Sequence, residues 1–160
     1  MTDQTTVARL FELAIELEKS AQELYCEFEK KFTHHPEVAD FWKKYAAEEV
    51  GHAGWLERVR DGLSAKELSA QADPFMLDAA RKILESSVKD SLADITDLKG
   101  AYQLANELEN SETNAIFEFL ITHFADDEKT RDFLRAHMRD HIAKLMLWFP
   151  TQFNVAAQGD

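Results

Sequence analysis

The chain has 160 residues, of which 45% are hydrophobic and 30% charged, and its formal net charge is −12. That acidic balance argues against a nucleic-acid partner, which needs a basic face, and the single cysteine, Cys26, excludes an internal disulfide or a Cys-x-x-Cys metal site. No apolar run approaches the roughly 18 residues that span a membrane and the N-terminus has no signal-peptide pattern, so we expect a cytoplasmic protein with no membrane partner.

Four long helices are predicted, because apolar residues recur every three or four positions and glycine and proline are few. They cover about residues 5–32, 36–62, 97–124 and 127–149, and Pro150 is expected to end the last one. Short turns join the first helix to the second and the third to the fourth, so each pair should be antiparallel. The long connection 64–96 includes a short helix after Asp73 and can cross the whole bundle. We therefore predict one all-α four-helix domain over residues 1–160, with a long crossover between helices 2 and 3 and a short C-terminal tail.

Polar residues interrupt the apolar face of every predicted helix. They are Glu18 in the first helix, Glu49 and His52 in the second, Glu109 and Glu112 in the third, and His141 in the fourth. A buried carboxylate without a partner costs several kcal/mol, so these positions require a compensating cation. The sequence therefore predicts that these six residues bind metal.

The chemistry of these side chains limits the metal. Oxygen and nitrogen ligands without a thiolate suit iron or manganese, with zinc as a further choice. Two divalent cations would balance the four carboxylates, and a single ion with one or two protonated glutamates is also consistent with them. Tyr25 and Tyr102 lie on the core side of their helices, where we expect core aromatics whose hydroxyls bond to glutamates.

Two short segments nearly repeat each other, Glu16-Leu17-Glu18-Lys19-Ser20 and Glu107-Leu108-Glu109-Asn110-Ser111, and Glu49-Val50-Gly51-His52 is a Glu-x-x-His motif. With these motifs the chain resembles the ferritin-like di-metal carboxylate superfamily over about residues 5–149. The pair Glu109 and Glu112 is similar to the third helix of rubrerythrin-like proteins within it. The resemblance implies a ferritin-like bundle, two iron ions, oxidation of ferrous iron with reduction of peroxide or oxygen, and a homodimer. Rubrerythrins often carry a rubredoxin domain, and without one any turnover needs a separate electron donor.

The resemblance fails at one position on the fourth helix. Met138 stands where the family has a glutamate three residues before His141. A thioether is a poor ligand for iron(II) or manganese(II), so the second ion should bind weakly, differ from the first or be absent. His137 and Asp140 are the nearby candidates to replace the missing carboxylate.

Three functions follow in order of preference. The first is a rubrerythrin-like non-haem di-iron oxidoreductase acting on peroxide or oxygen, or a protein that handles iron. The second is a metal-binding bundle without redox turnover, with one strong position formed by Glu18, Glu49 and His52, because Met138 has removed a ligand. The third is a metal-free bundle that acts as an interaction module. The sequence assigns no catalytic residue.

Overall fold

The computed structural model describes residues 4–85, 92–110 and 112–153, apart from the side chain of Glu112. The regular structure of this part is helical, which confirms the predicted all-α class. The elements are α1 (Val7–Lys31), α2 (Pro36–Asp61), α3 (Ala65–Ser69), α4 (Pro74–Glu85), α5 (Leu98–Glu109), α6 (Glu112–Phe124), α7 (Glu128–Ala143), a π-helical segment (Lys144–Trp148) and α8 (Phe149–Gln152). No helix in the described ranges is both long enough and apolar enough to cross a membrane.

Short polar side chains set the starts of three long helices. The Thr6 hydroxyl accepts a hydrogen bond from the backbone N–H of Arg9 at 3.3 Å at the start of α1. Asp97 and Asp127 cap α5 and α7 in the same way, at 2.8 and 2.7 Å. Each cap satisfies one of the backbone donors that a helix leaves free at its N-terminus.

The third predicted helix, 97–124, is two helices in the structure, α5 and α6. Three asparagines spaced four residues apart lie at the break. The Asn110 amide donates to the backbone oxygen of Asn106 at 2.8 Å, and the Asn114 amide donates to the backbone oxygen of Glu109 at 2.6 Å. The Asn106 oxygen also accepts from the Asn110 backbone N–H at 3.0 Å, so side-chain amides share the helical carbonyls here and favour the end of α5 at this point.

The fourth predicted helix also differs from expectation at its end. A π-helical segment follows α7, and the chain continues through Pro150 as the short α8 instead of stopping there. Pro150 lies in the first turn of α8, where a missing backbone N–H costs no helical hydrogen bond. The register change in the π-helical segment therefore lets the chain pass a residue that would break an uninterrupted α-helix.

Two apolar clusters fill the two ends of the bundle. The first apolar cluster contains Val7–Leu17 side chains of α1 with Ala53, Leu56, Leu77, Ala80, Ile116, Phe117, Leu120, Ile121, Leu134 and Met138. The second apolar cluster contains Ala21, Leu24, Tyr25, Phe28, Phe32, Val38, Phe41, Trp42, Tyr45, Ala46, Ala101, Tyr102, Ala105, Leu145 and Phe149. The start of α1 thus lies at the same end as the end of α2, whereas α5 and α6 run in the same direction as α2. The bundle therefore has the predicted ferritin-like arrangement, in which a crossover returns the chain along its length.

Candidate metal centre

A buried polar layer separates the two apolar clusters. Its members are Glu18 from α1, Glu49 and His52 from α2, Glu109 from α5 and His141 from α7, with exposed fractions of 1%, 2%, 1%, 5% and 0%. Five of the six predicted metal ligands therefore meet at one level of the bundle. The side chain of Glu112 lies outside the described residues. The assignment of all six as ligands stays a prediction, because the structure contains no ion.

Glu49 lies between the two histidines of this layer. Its Oε1 is 2.5 Å from His141 Nε2, and its Oε2 is 3.6 Å from His52 Nδ1. Each oxygen of one carboxylate therefore points toward a different imidazole. This is the arrangement expected of a carboxylate that is shared between two cations, each of which also takes one histidine.

Several atoms of the layer lack the partners that buried polar groups require. His52 Nδ1 and Nε2 and Glu18 Oε2 find no hydrogen-bond partner among the described residues, although Glu18 Oε2 is 3.5 Å from His52 Nδ1. One ligand atom each from Glu49, His52 and His141 lies within 4.8 Å of the others. Unsatisfied buried oxygen and nitrogen atoms are costly in a metal-free protein and become ligands when a cation is bound. The residues therefore fit a metal.

Glu109 is held in place by donors on both of its oxygens. Tyr25 donates to Glu109 Oε1 at 2.6 Å, and the Asn114 amide donates to Glu109 Oε2 at 3.0 Å. The same Oε1 is 3.1 Å from His141 Nε2. The predicted bond between Tyr25 and a glutamate is thus present, whereas Tyr102 stacks on Phe149 with ring centroids 5.7 Å apart.

Two neighbours of His141 were not predicted from the sequence. Tyr45 stacks on the His141 ring with centroids 4.0 Å apart and donates to the His141 backbone oxygen at 2.9 Å. Glu48 Oε1 is 3.5 Å from His141 Nδ1 and 3.1 Å from Lys144 Nζ. A carboxylate beside the remote nitrogen of a metal-binding histidine fixes the orientation of its ring. Glu48 is adjacent to Glu49 in sequence, and its contact with His141 depends on how α2 packs against α7.

Burial and close contacts raise the pKa values of some residues in the layer and lower that of another. Burial and the adjacent charge of Glu49 raise the pKa of Glu18 well above its usual range. Burial opposes ionisation of Glu49 as well, but hydrogen bonds from Glu18 and the two imidazoles outweigh it and lower the pKa of Glu49. Burial would lower the pKa of His141, yet its hydrogen bonds to Glu109, Glu48 and Glu49 raise it. The raised pKa values of Glu18 and His141 thus favour their protonated forms in the metal-free protein, where no cation balances the buried carboxylates.

The position at which the resemblance implies a glutamate is apolar. Met138 is 7% exposed, packs in the first apolar cluster and lines a cavity of about 180 Å³. His137 is half-buried, with its ring centroid 5.2 Å from that of His52, and Asp140 is exposed. Asp140 therefore keeps its carboxylate at the surface, and His137 offers an imidazole instead of a carboxylate.

A cavity of about 870 Å³ lies between α2 and the α7 region, beside the polar layer. Tyr45, Glu48 and His137 line it together with Phe41 and Trp148. Because Tyr45 and Glu48 also contact His141, the cavity extends from solvent to the immediate neighbours of the candidate metal centre.

The crossover bundle and its buried carboxylate–histidine layer define a ferritin-like protein with a candidate metal site. A comparison with protein-family models matches the Rubrerythrin family over residues 10–138. The chain therefore belongs to the rubrerythrin family. The matched segment ends at Met138. Searches of curated proteins and of solved structures find no match to the chain.

Proposed function

We propose that this protein is a non-haem di-iron oxidoreductase that acts on peroxide or oxygen, or handles iron. The position of Glu49 between two histidines is the observation that supports this function most directly. Glu18, Glu49 and His52 would hold one ion, and Glu49, Glu109 and His141 the other. Each bound iron ion would give up one electron, and two ions together would supply the two electrons that reduce one peroxide. Manganese and zinc suit the same donors, so the identity of the metal as iron is itself proposed.

The chain's own residues would bind the ions, orient their ligands and move protons. Tyr25 and Asn114 fix the Glu109 carboxylate, and Tyr45 and Glu48 fix His141. The apolar clusters on both sides keep bulk water away from the layer, so its electrostatic interactions are strong. A small oxidant would approach through the cavity beside Tyr45 and Glu48.

A second function is supported by Met138. Its side chain belongs to the first apolar cluster, so the second ion would have one carboxylate fewer than the family pattern provides. The protein would then be a metal-binding bundle without redox turnover, with one strong position formed by Glu18, Glu49 and His52.

Metal analysis of protein purified from iron-supplied cells distinguishes the two functions. About two irons per chain, with peroxide-dependent oxidation of the iron, supports the oxidoreductase. One zinc or manganese per chain without turnover supports the second function. The variants Glu18→Ala and Glu49→Ala should lose metal, and the exposed Glu16→Ala is the matched control. Unchanged metal content in the first two variants would contradict both functions.

The family also suggests a homodimer and an electron donor outside these 160 residues, since one cysteine cannot form a rubredoxin-type iron site. Light scattering during size-exclusion chromatography measures the mass directly. A single-chain mass of 18.3 kDa at micromolar concentration would contradict the dimer.

A further inference from the structure

Trp42 is fully buried among aromatic rings of the second apolar cluster. Its ring centroid is 5.5 Å from that of Tyr25, 4.9 Å from Phe28, 5.0 Å from Phe41 and 5.1 Å from Phe149. Its Nε1–H, although buried, finds no hydrogen-bond acceptor among the described residues. A buried indole usually places its N–H on a partner, so packing alone does not account for tryptophan at this position.

Aromatic contacts continue from Trp42 to the protein surface. Phe41 touches Trp42 and also stacks on Trp148, with centroids 5.5 Å apart and an angle of 13° between the rings. Trp148 is 48% exposed and lines the cavity beside the metal centre. One oxidisable side chain therefore lies at the surface and a second in the core, with a single phenylalanine ring between them.

The same contacts continue inward to the candidate metal centre. Tyr25 stacks on Trp42 at an angle of 18° and donates its hydroxyl to Glu109. Tyr45 is 6.1 Å from Trp42 between centroids and stacks on His141. Trp42 thus contacts two tyrosines, each of which touches a different residue of the polar layer.

We propose that Trp148 and Trp42 form an electron relay, which carries single electrons from a one-electron reductant in solution to the buried metal centre. The proposal rests on the proposed function in one respect, that the bound metal accepts electrons. The centre is no more than 5% exposed at any described residue of the layer, and the single cysteine excludes a rubredoxin-type site in these residues. Electrons must therefore cross the protein to reach it.

Each step of the relay moves one electron and no proton. A metal centre that peroxide has oxidised beyond the ferric state would take an electron from Trp42, which would become an indole radical cation; ferric iron alone is too weak an oxidant for this step. Trp148 reduces that cation across Phe41, and the external reductant then reduces Trp148. Trp42 keeps its N–H proton, because none of the residues that the structure describes places an acceptor within hydrogen-bond distance. The faces of the surrounding rings and the net charge of −12 stabilise the transient positive charge. Two passages supply the two electrons that reduce one peroxide to water, with two protons taken from the medium.

Flash photolysis of the full chain without metal tests the relay independently of iron. The chain has three tryptophans, so Trp55→Phe leaves only Trp42 and Trp148. A ruthenium photo-oxidant in solution reaches Trp148 but not Trp42, which is 0% exposed. Transient absorption should then show a protonated indole radical, which belongs to Trp42, formed after oxidation at the surface. The further change Trp148→Phe, which preserves stacking on Phe41, should remove most of this signal. The further change Trp42→Phe should leave only the deprotonated radical of Trp148.

Two results of the flash experiment would overturn the relay. One is a protonated radical of unchanged yield when Trp148 is replaced, and the other is its absence when only Trp55 is replaced. Circular dichroism of each variant shows that the fold is kept.

A second experiment on iron-loaded protein separates the relay from the proposed function. Consumption of peroxide by the iron-loaded protein with an external one-electron reductant should be several-fold slower in Trp148→Phe and Trp42→Phe. Trp55→Phe is the matched control, since its half-buried ring packs on Phe133 at 5.7 Å rather than on Trp42. Equal rates in all three variants would overturn the relay while leaving the di-iron function intact. If the protein does not load iron but the flash experiment gives the expected result, the di-iron function is refuted and the relay is supported.

Discussion

Replacing Glu18 with glutamine should have opposite consequences in the metal-free and metal-loaded protein. Burial and the charge of Glu49 raise the pKa of Glu18, which favours the neutral carboxyl in the metal-free protein. Glutamine has nearly the same shape and is also neutral, and its amide can donate to Glu49 as the protonated acid does. Metal-free Glu18→Gln should therefore be at least as stable as the unchanged chain at neutral pH.

The metal-loaded protein should lose stability in the same variant. Glu18 Oε2 lies 3.5 Å from His52 Nδ1, so a cation between them has one charged ligand fewer when Glu18 is an amide. Removing one partner of a buried ion pair costs about 3–5 kcal/mol. For a chain of this size each kcal/mol changes the melting temperature by about 2–4 °C. The metal-dependent gain in melting temperature should thus shrink by about 10 °C.

Differential scanning fluorimetry with and without added manganese(II) measures both effects, because manganese avoids oxidation chemistry during heating. Glu16→Gln is the control, since Glu16 is exposed on the same helix and should change neither melting temperature. If manganese raises the melting temperature of Glu18→Gln as much as that of the unchanged chain, Glu18 is not a metal ligand. A metal-free Glu18→Gln that is destabilised by several kcal/mol would refute the protonation state.

Three further predictions follow from the same layer. Above about pH 4.3, the usual value for glutamate, the stability of the metal-free protein should fall as pH rises, because Glu18 and His141 both have raised pKa values in the folded state, whereas the lowered pKa of Glu49 acts in the opposite direction only below that pH. The contribution of Glu18 and His141 is complete below their unfolded pKa values, about 4.3 and about 6.5, and is lost as pH rises through the folded values. Urea unfolding at a series of pH values measures it, and stability that increased above neutral pH would contradict it. Met138→Glu should strengthen binding of the second ion, since Met138 adjoins a cavity of about 180 Å³; no gain in metal occupancy would show that this position does not face the centre. Glu48→Gln should weaken metal binding by about 10- to 100-fold through its contact with His141, as measured by chelator competition, and an unchanged affinity would remove Glu48 from the centre.

Helical periodicity was sufficient to identify most of the candidate site. Glu18, Glu49 and His141 were predicted because each breaks an apolar face, and the structure brings all three into one buried layer. The direction of the helices followed from connection lengths, since short turns force antiparallel neighbours and the crossover permits a parallel pair. These features depend on spacing along the chain, which a single sequence contains.

The features that escaped prediction depend on contacts between helices or on local competition for hydrogen bonds. Periodicity continues through the break between α5 and α6, because apolar spacing carries no information about the amides of Asn110 and Asn114. Glu48 reaches His141 only because α2 and α7 pack at a particular rotation. The role proposed for Trp42 depends on which rings surround it and on the lack of an acceptor for its N–H among the described residues, and neither is visible before the helices are packed.

Anomalous X-ray diffraction at the iron edge from crystals of the iron-loaded protein tests the central claim most directly. The claim is that Glu49 shares its carboxylate between two ions, one beside His52 and one beside His141. We expect two anomalous peaks about 3.5–4 Å apart with the Glu49 carboxylate between them. A single peak bound by Glu18 and His52, or peaks that do not touch Glu49, would contradict the claim.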